Sequence, residues 1–275
     1  MASAEPREGY RRVVVALDAR PASRGALDAA AALAARFQAE LVGLFIEDLN
    51  LLNMSALPFT RLAGAGPLSS GVDRATVERL LRRASGEMRA MVARLAEQAP
   101  VPWSFRVVRE LAGRALIAAA GEAGDLVVVE ETALAGQLRP FVAGARASVL
   151  CLRTGPAATG AEVILPWRAD TESAHALRAA AALAAASRRP LAVLLPGDPA
   201  AARAAESRIR EALAGTGIEA RLIRPEAGRR TLAEIARRHP GSTIVWPRRG
   251  AVEAGADIEL EGIIELDHCS VLVVR

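Results

Sequence analysis

The sequence predicts an α/β fold of two tandem doubly wound units, each on a five-stranded parallel sheet. Three observations carry this. Short Val- and Leu-rich runs alternate with segments of helical periodicity, the pattern of βαβ units. The opening "VVVALDARPASRGALDAAAALAARFQAELVGL" from Val13 returns as "VILPWRADTESAHALRAAAALAAASRRPLAVLL" from Val163. Each half closes on nearly the same run, "SVLCLR" at Ser148 and "SVLVVR" at Ser270.

In the first half, strands are expected to begin near Val13, Leu41, Trp103, Leu126 and Val149. Their near-continuous apolar character fits strands covered on both faces. After the first strand, Ser23 is the expected N-cap of a helix whose apolar stripe is Leu27, Ala30, Ala31, Ala34 and Phe37. A longer helix follows, with Val77, Leu81, Ala84, Met88, Met91, Val92 and Leu95 on one face, and both methionines read as core.

The repeat holds without a gap over the first strand and helix. Ala26-Leu27 falls on Ala176-Leu177 (176 − 26 = 150), and the same offset carries Ser23 onto Ser173 and Leu41 onto Leu191. Further on, Arg109 aligns with Arg224 and Gly113 with Gly228, an offset of 224 − 109 = 115. The boundary is expected in "TGPAATGA", residues 154–161, giving domains 1–153 and 154–275.

Composition narrows the function. Hydrophobic residues make up 52% and aromatics 3%, so the core is built from aliphatic layers. All 35 basic residues are Arg, with a net charge of +4. Pairs such as Arg82-Arg83 and Arg237-Arg238 are interleaved with acids, which describes solvated faces rather than a nucleic-acid surface. Cys151 and Cys269 sit in or beside apolar runs, expected reduced and buried, and no Cys/His cluster suggests a metal. The opening "MASAEPREGYRR" lacks the apolar core of a secretion signal and no run reaches membrane-spanning length, so a cytoplasmic protein is expected. His175, His239 and His268 lie in no motif, and neither a nucleophile elbow nor a P-loop occurs, so no enzyme is expected. "GAGPLSSG" at Gly64 reads as a loop, because its third glycine is misplaced for a dinucleotide fingerprint.

The tandem openings, with Asp18 after the first strand, Ser23 in the following loop and "AELVGL" beyond the helix, together with the closing "SVLVVR", resemble the universal stress protein family. The resemblance covers nearly the whole chain and implies that family's fold, of the adenine nucleotide alpha-hydrolase-like class. It implies that the halves are related by a pseudo-twofold and join through their final strands, as single-domain members dimerise, making the dimer within one chain. A further homodimer stays open.

In nucleotide-binding members an Asp ending the first strand and the backbone of the second strand hold the nucleoside; Asp18 and Leu41 match those positions. The phosphates are held by a G-x2-G-x9-G-S/T signature after the fourth strand. Here that place reads Glu130-Glu131, with only Gly136 and Gly144 before the last strand of the half. In the second half Arg168 stands at the Asp18 position, Arg248-Arg249 follow the fourth strand, and Gly250, Gly255 and Gly262 do not fit the signature. The resemblance therefore implies a non-catalytic stress-response protein that binds a ligand or a protein partner, with no cofactor; ATP or AMP binding is the alternative.

A second alternative, an interaction scaffold, rests on the apolar connection at residues 45–62. Leu49, Leu52, Met54, Leu57 and Phe59 crowd a segment whose counterpart in the second half is a short turn, and they are the candidate partner or ligand surface.

Overall fold

The computed structural model describes residues 9–20, 23–55, 74–134, 138–153, 161–168, 171–224, 234, 237–247 and 269–275. The first half contains β1 (Arg12–Leu17), α1 (Ser23–Phe37), β2 (Glu40–Asp48), α2 (Leu49–Ser55), α3 (Arg74–Gln98), β3 (Trp103–Glu110), α4 (Ala112–Ala119), β4 (Asp125–Glu130), a 3-10 turn (Glu131–Leu134), α5 (Leu138–Gly144) and β5 (Ser148–Leu152). The second contains β6 (Val163–Pro166), α6 (Thr171–Ser187), β7 (Leu191–Leu194), α7 (Pro199–Leu213), β8 (Ala220–Ile223), β9 (Thr243–Pro247) and β10 (Ser270–Val274). All five strands expected in the first half are present.

The strands form one ten-stranded sheet in the order β3-β2-β1-β4-β5-β10-β9-β6-β7-β8. Pairing is parallel within each half and antiparallel where β5 meets β10. Leu150 lies directly opposite Leu272. Their offset, 272 − 150 = 122, also relates Ser148 to Ser270 and Arg153 to Arg275. Across the seam the Arg153 N–H donates to Ser270 Oγ (3.2 Å) and the Arg275 N–H to Ser148 Oγ (3.0 Å). Reciprocal bonds between equivalent residues mark a pseudo-twofold passing between the two leucines.

Alternation along the strands feeds two core layers. Val13, Val15 and Leu17 of β1 face α1 and α3, while Val14 and Ala16 face the side of α4 and α5. In α3, Val77, Leu81, Met88 and Val92 are buried and Met91 packs against them, so both methionines are core residues. Gly43 of β2 is required by packing: a Cβ there would come within 2.7 Å of the Phe105 ring.

The structural repeat differs from the sequence alignment in the later strands. β2 sets Leu41 beside Trp103 and β7 sets Leu191 beside Ala220, an offset of 220 − 103 = 117. Arg224 therefore stands opposite the place of Val107, two residues from Arg109. Both arginines nonetheless bond an acid of the preceding helix, Arg109 with Glu78 (3.4 Å) and Arg224 with Glu206 (3.2 Å through Nε).

At the amino ends of the strands, Asp125 heads β4 fully buried. Its Oδ2 accepts from Arg12 Nε (2.9 Å) and closely from Arg12 Nη2. That bond is the main cause of a raised Arg12 pKa. Asp125 Oδ1 has no hydrogen bond, and Arg11 Nη2 lies 3.8 Å from it.

Candidate functional site

In the first half the strand order reverses between β1 and β4, and in open α/β sheets such a reversal leaves a crevice beyond the carboxyl ends of the strands. A cavity of about 300 Å³ lies there, over the ends of β1 and β2. Ala16, Ile46, Leu81 and Leu116 give it apolar walls, Leu51 reaches in from α2, and Asp18, Arg20, Asp48 and Thr132 supply its polar atoms. Seven separate elements or loops meet at this point.

Asp18 holds the loop after β1 together. Its Oδ1 accepts from the Arg20 N–H (2.8 Å) and from Ser23 Oγ (2.9 Å), and its Oδ2 accepts from Arg20 Nε (2.6 Å). Ser23 Oγ in turn accepts the Asp18 N–H at 3.2 Å. Ser23, expected as an N-cap, is instead the buried first residue of α1, tied back to β1. The Arg168 N–H donates to Ser173 Oγ (3.1 Å) in the second half, so the repeated serine does the same work in both. Asp48 accepts from the Asn50 N–H (2.9 Å) and fixes the start of α2.

Glu130, ending β4, is 4% exposed, and its Oε2 has no hydrogen bond. Burial raises its pKa, the Asp18 charge adds to the rise, and Arg20 opposes it. A carboxylate whose folded pKa lies above its unfolded value contributes stability below the unfolded pKa and loses it as pH rises through the folded one. Glu130→Gln is thus expected to be more stable than wild type at pH 7, the gap closing towards pH 4. Thermal unfolding across that range measures it. Glu131 is half-buried and pairs with Arg153 at 3.1 Å.

The second half fills the equivalent place with large groups. Trp167 takes the position of Leu17 and Arg168 that of Asp18, by the offset of 150. The Arg168 guanidinium lies 4.4 Å from the ring centre of the buried Trp246.

No protein-family model matches the chain, and no curated protein matches it. Among solved structures, a universal stress protein from Archaeoglobus fulgidus is similar at a TM-score of 0.55 and 14% identity, over 97% of this chain and 98% of that one. A candidate universal stress protein from Pseudomonas aeruginosa UCBPP-PA14 gives 0.54 and 16%, over 98% and 94%. A functionally unknown protein from Pseudomonas aeruginosa PAO1 gives 0.55 and 17%, over 98% and 93%. The fold is that of the universal stress proteins.

Within the universal-stress fold, the expected site residues divide. Asp18 lines the cavity. Leu41 does not: it is fully buried opposite Val13, near the start of β2. Val13 is five residues before Asp18, about 16 Å at roughly 3.3 Å per residue. Ile46, near the end of β2, is the residue beside Asp18. Gly144 ends α5 exposed, with open space where a Cβ would project, so close packing does not require glycine there. Gly136 lies outside the described residues, as do Arg248, Arg249, Gly250, Gly255, Gly262 and His268.

The apolar connection also divides. Leu52 is fully buried and Leu49 packs on the core, so α2 is anchored on its own half by these two. That burial removes Leu52 from any partner surface. Met54 is exposed, and Leu51, also exposed, reaches the cavity; Leu57 and Phe59 lie outside the described residues.

His175 stands edge-on to the buried Tyr10 at 5.8 Å, where α1 packs on α6, and burial lowers its pKa. His239 Nδ1 is 3.8 Å from Glu162. Cys151 and Cys269 are both buried, and burial pushes the Cys151 thiol up to about 12. Among the described residues, no helix is long and apolar enough to cross a membrane.

Proposed function

We propose that this chain is a non-catalytic stress-response protein that binds a small uncharged ligand of nucleoside size in the switch-point cavity of its first half. The observation that carries this reading is the pairing of apolar walls with a carboxylate rim. Ile46, Leu81 and Leu116 suit a flat or aliphatic body, and Asp18 can accept from ligand hydroxyls in exchange for Arg20. The buried, unbonded Glu130 beside Asp18 opposes the approach of a triphosphate. The universal-stress fold supports the placement in a stress-related role.

An adenine-nucleotide binder is the second reading, favoured by one observation: Asp18 and the end of β2 flank the same cavity. Denaturing freshly purified protein and identifying released small molecules by mass spectrometry separates the two. An uncharged compound of nucleoside size, lost from Asp18→Ala, is the expected result. Stoichiometric ATP would sink the leading reading in favour of the second.

A further inference from the structure

A second groove, of about 440 Å³, crosses the first half on the face that carries α4. Val14, Val42 and Leu44 form its buried floor, with half-buried Val108 beside them. α4 covers little of this floor, because it is 8 residues long and turns Ala115, Ala118 and Ala119 towards the groove. A slot with an aliphatic floor and a methyl-lined wall admits a slim chain more readily than a ring system.

The charges are unevenly satisfied. At the end near Arg12, that guanidinium faces Asp125, Glu40 and Glu122. Further along, Arg106 of β3 sits beside Leu44 in register, and Arg114 projects from α4. Neither guanidinium has an ion pair or hydrogen bond among the described residues. Glu110, the remaining acid of the groove, accepts the N–H of Leu111 at 3.1 Å. Two unpaired guanidiniums over an apolar floor complement an anionic head on an alkyl chain.

We propose that this groove binds an aliphatic monocarboxylate, its chain on the Val14–Val42–Leu44 floor and its carboxylate held by Arg106 and Arg114. The site lies apart from the switch-point cavity and goes beyond the function proposed for that cavity.

Calorimetric titration of the full chain with decanoate, below its micellar concentration, tests this. Saturable binding at one site is expected, weakened about tenfold or more in R106A/R114A and blocked in Ala118→Phe, whose new ring fills the slot. Arg106 and Arg114 are exposed, so their loss leaves the fold intact. Decylammonium should not compete. Absence of saturable binding would overturn the proposal, as would equal affinity in the double variant, or displacement of decanoate by adenosine.

Discussion

Arg12→Leu is expected to cost roughly 3 kcal/mol of folding free energy, because it strands a fully buried Asp125 without its partner. The value belongs at the low end of the range for broken buried pairs, since Arg11 stands 3.8 Å from the other oxygen and supplies part of the lost charge. The double variant Arg12→Leu/Asp125→Leu should recover much of that loss, because the penalty resides in the uncompensated charge rather than in the missing attraction. Chemical denaturation of the two variants beside wild type gives the comparison. Equal losses in the single and double variants would mean that the ion pair itself, or packing around it, carries the stability.

The second large effect is expected at the seam between the halves. Leu150 and Leu272 face each other across β5 and β10, both within the core. Leu150→Ala and Leu272→Ala should each cost about 2–5 kcal/mol, the usual range for emptying a packed leucine site. Their symmetry-related surroundings predict similar losses, and direct contact predicts that the double variant departs from the sum. Because one sheet runs through both halves, wild type should unfold in a single transition by circular dichroism. Two separated transitions in wild type would mean that the seam couples the halves weakly.

The strands were legible because their apolar runs have no other use in an α/β chain: Val13, Leu41, Trp103, Leu126 and Val149 all fall within or at the start of observed strands. The resemblance implied that the halves join through their final strands, and in the structure the serines and arginines of "SVLCLR" and "SVLVVR" bond reciprocally across that seam. The site was less legible because it is made at strand ends. Pattern alone marks where the second strand begins, at Leu41, but parallel register brings its far end, Ile46, to Asp18. Leu81, Leu116 and Thr132 reach the cavity from three further segments, so no local motif announces them. Arg20 was the one missed residue with a local signal, two positions from an aspartate that also binds Ser23. The two-residue slip between offsets 115 and 117 arose from matching Arg109 to Arg224 by identity, whereas backbone register decides which positions correspond.

That the switch-point cavity favours an uncharged ligand over a triphosphate is tested most directly by titrating the full chain with adenosine and with ATP under identical salt and pH. The placement of Glu130 and Asp18 predicts that ATP binds no more tightly than adenosine, and that Glu130→Gln narrows any deficit of ATP. ATP binding at least tenfold tighter than adenosine, about 1.4 kcal/mol in its favour, and weakened by Asp18→Ala, would contradict it.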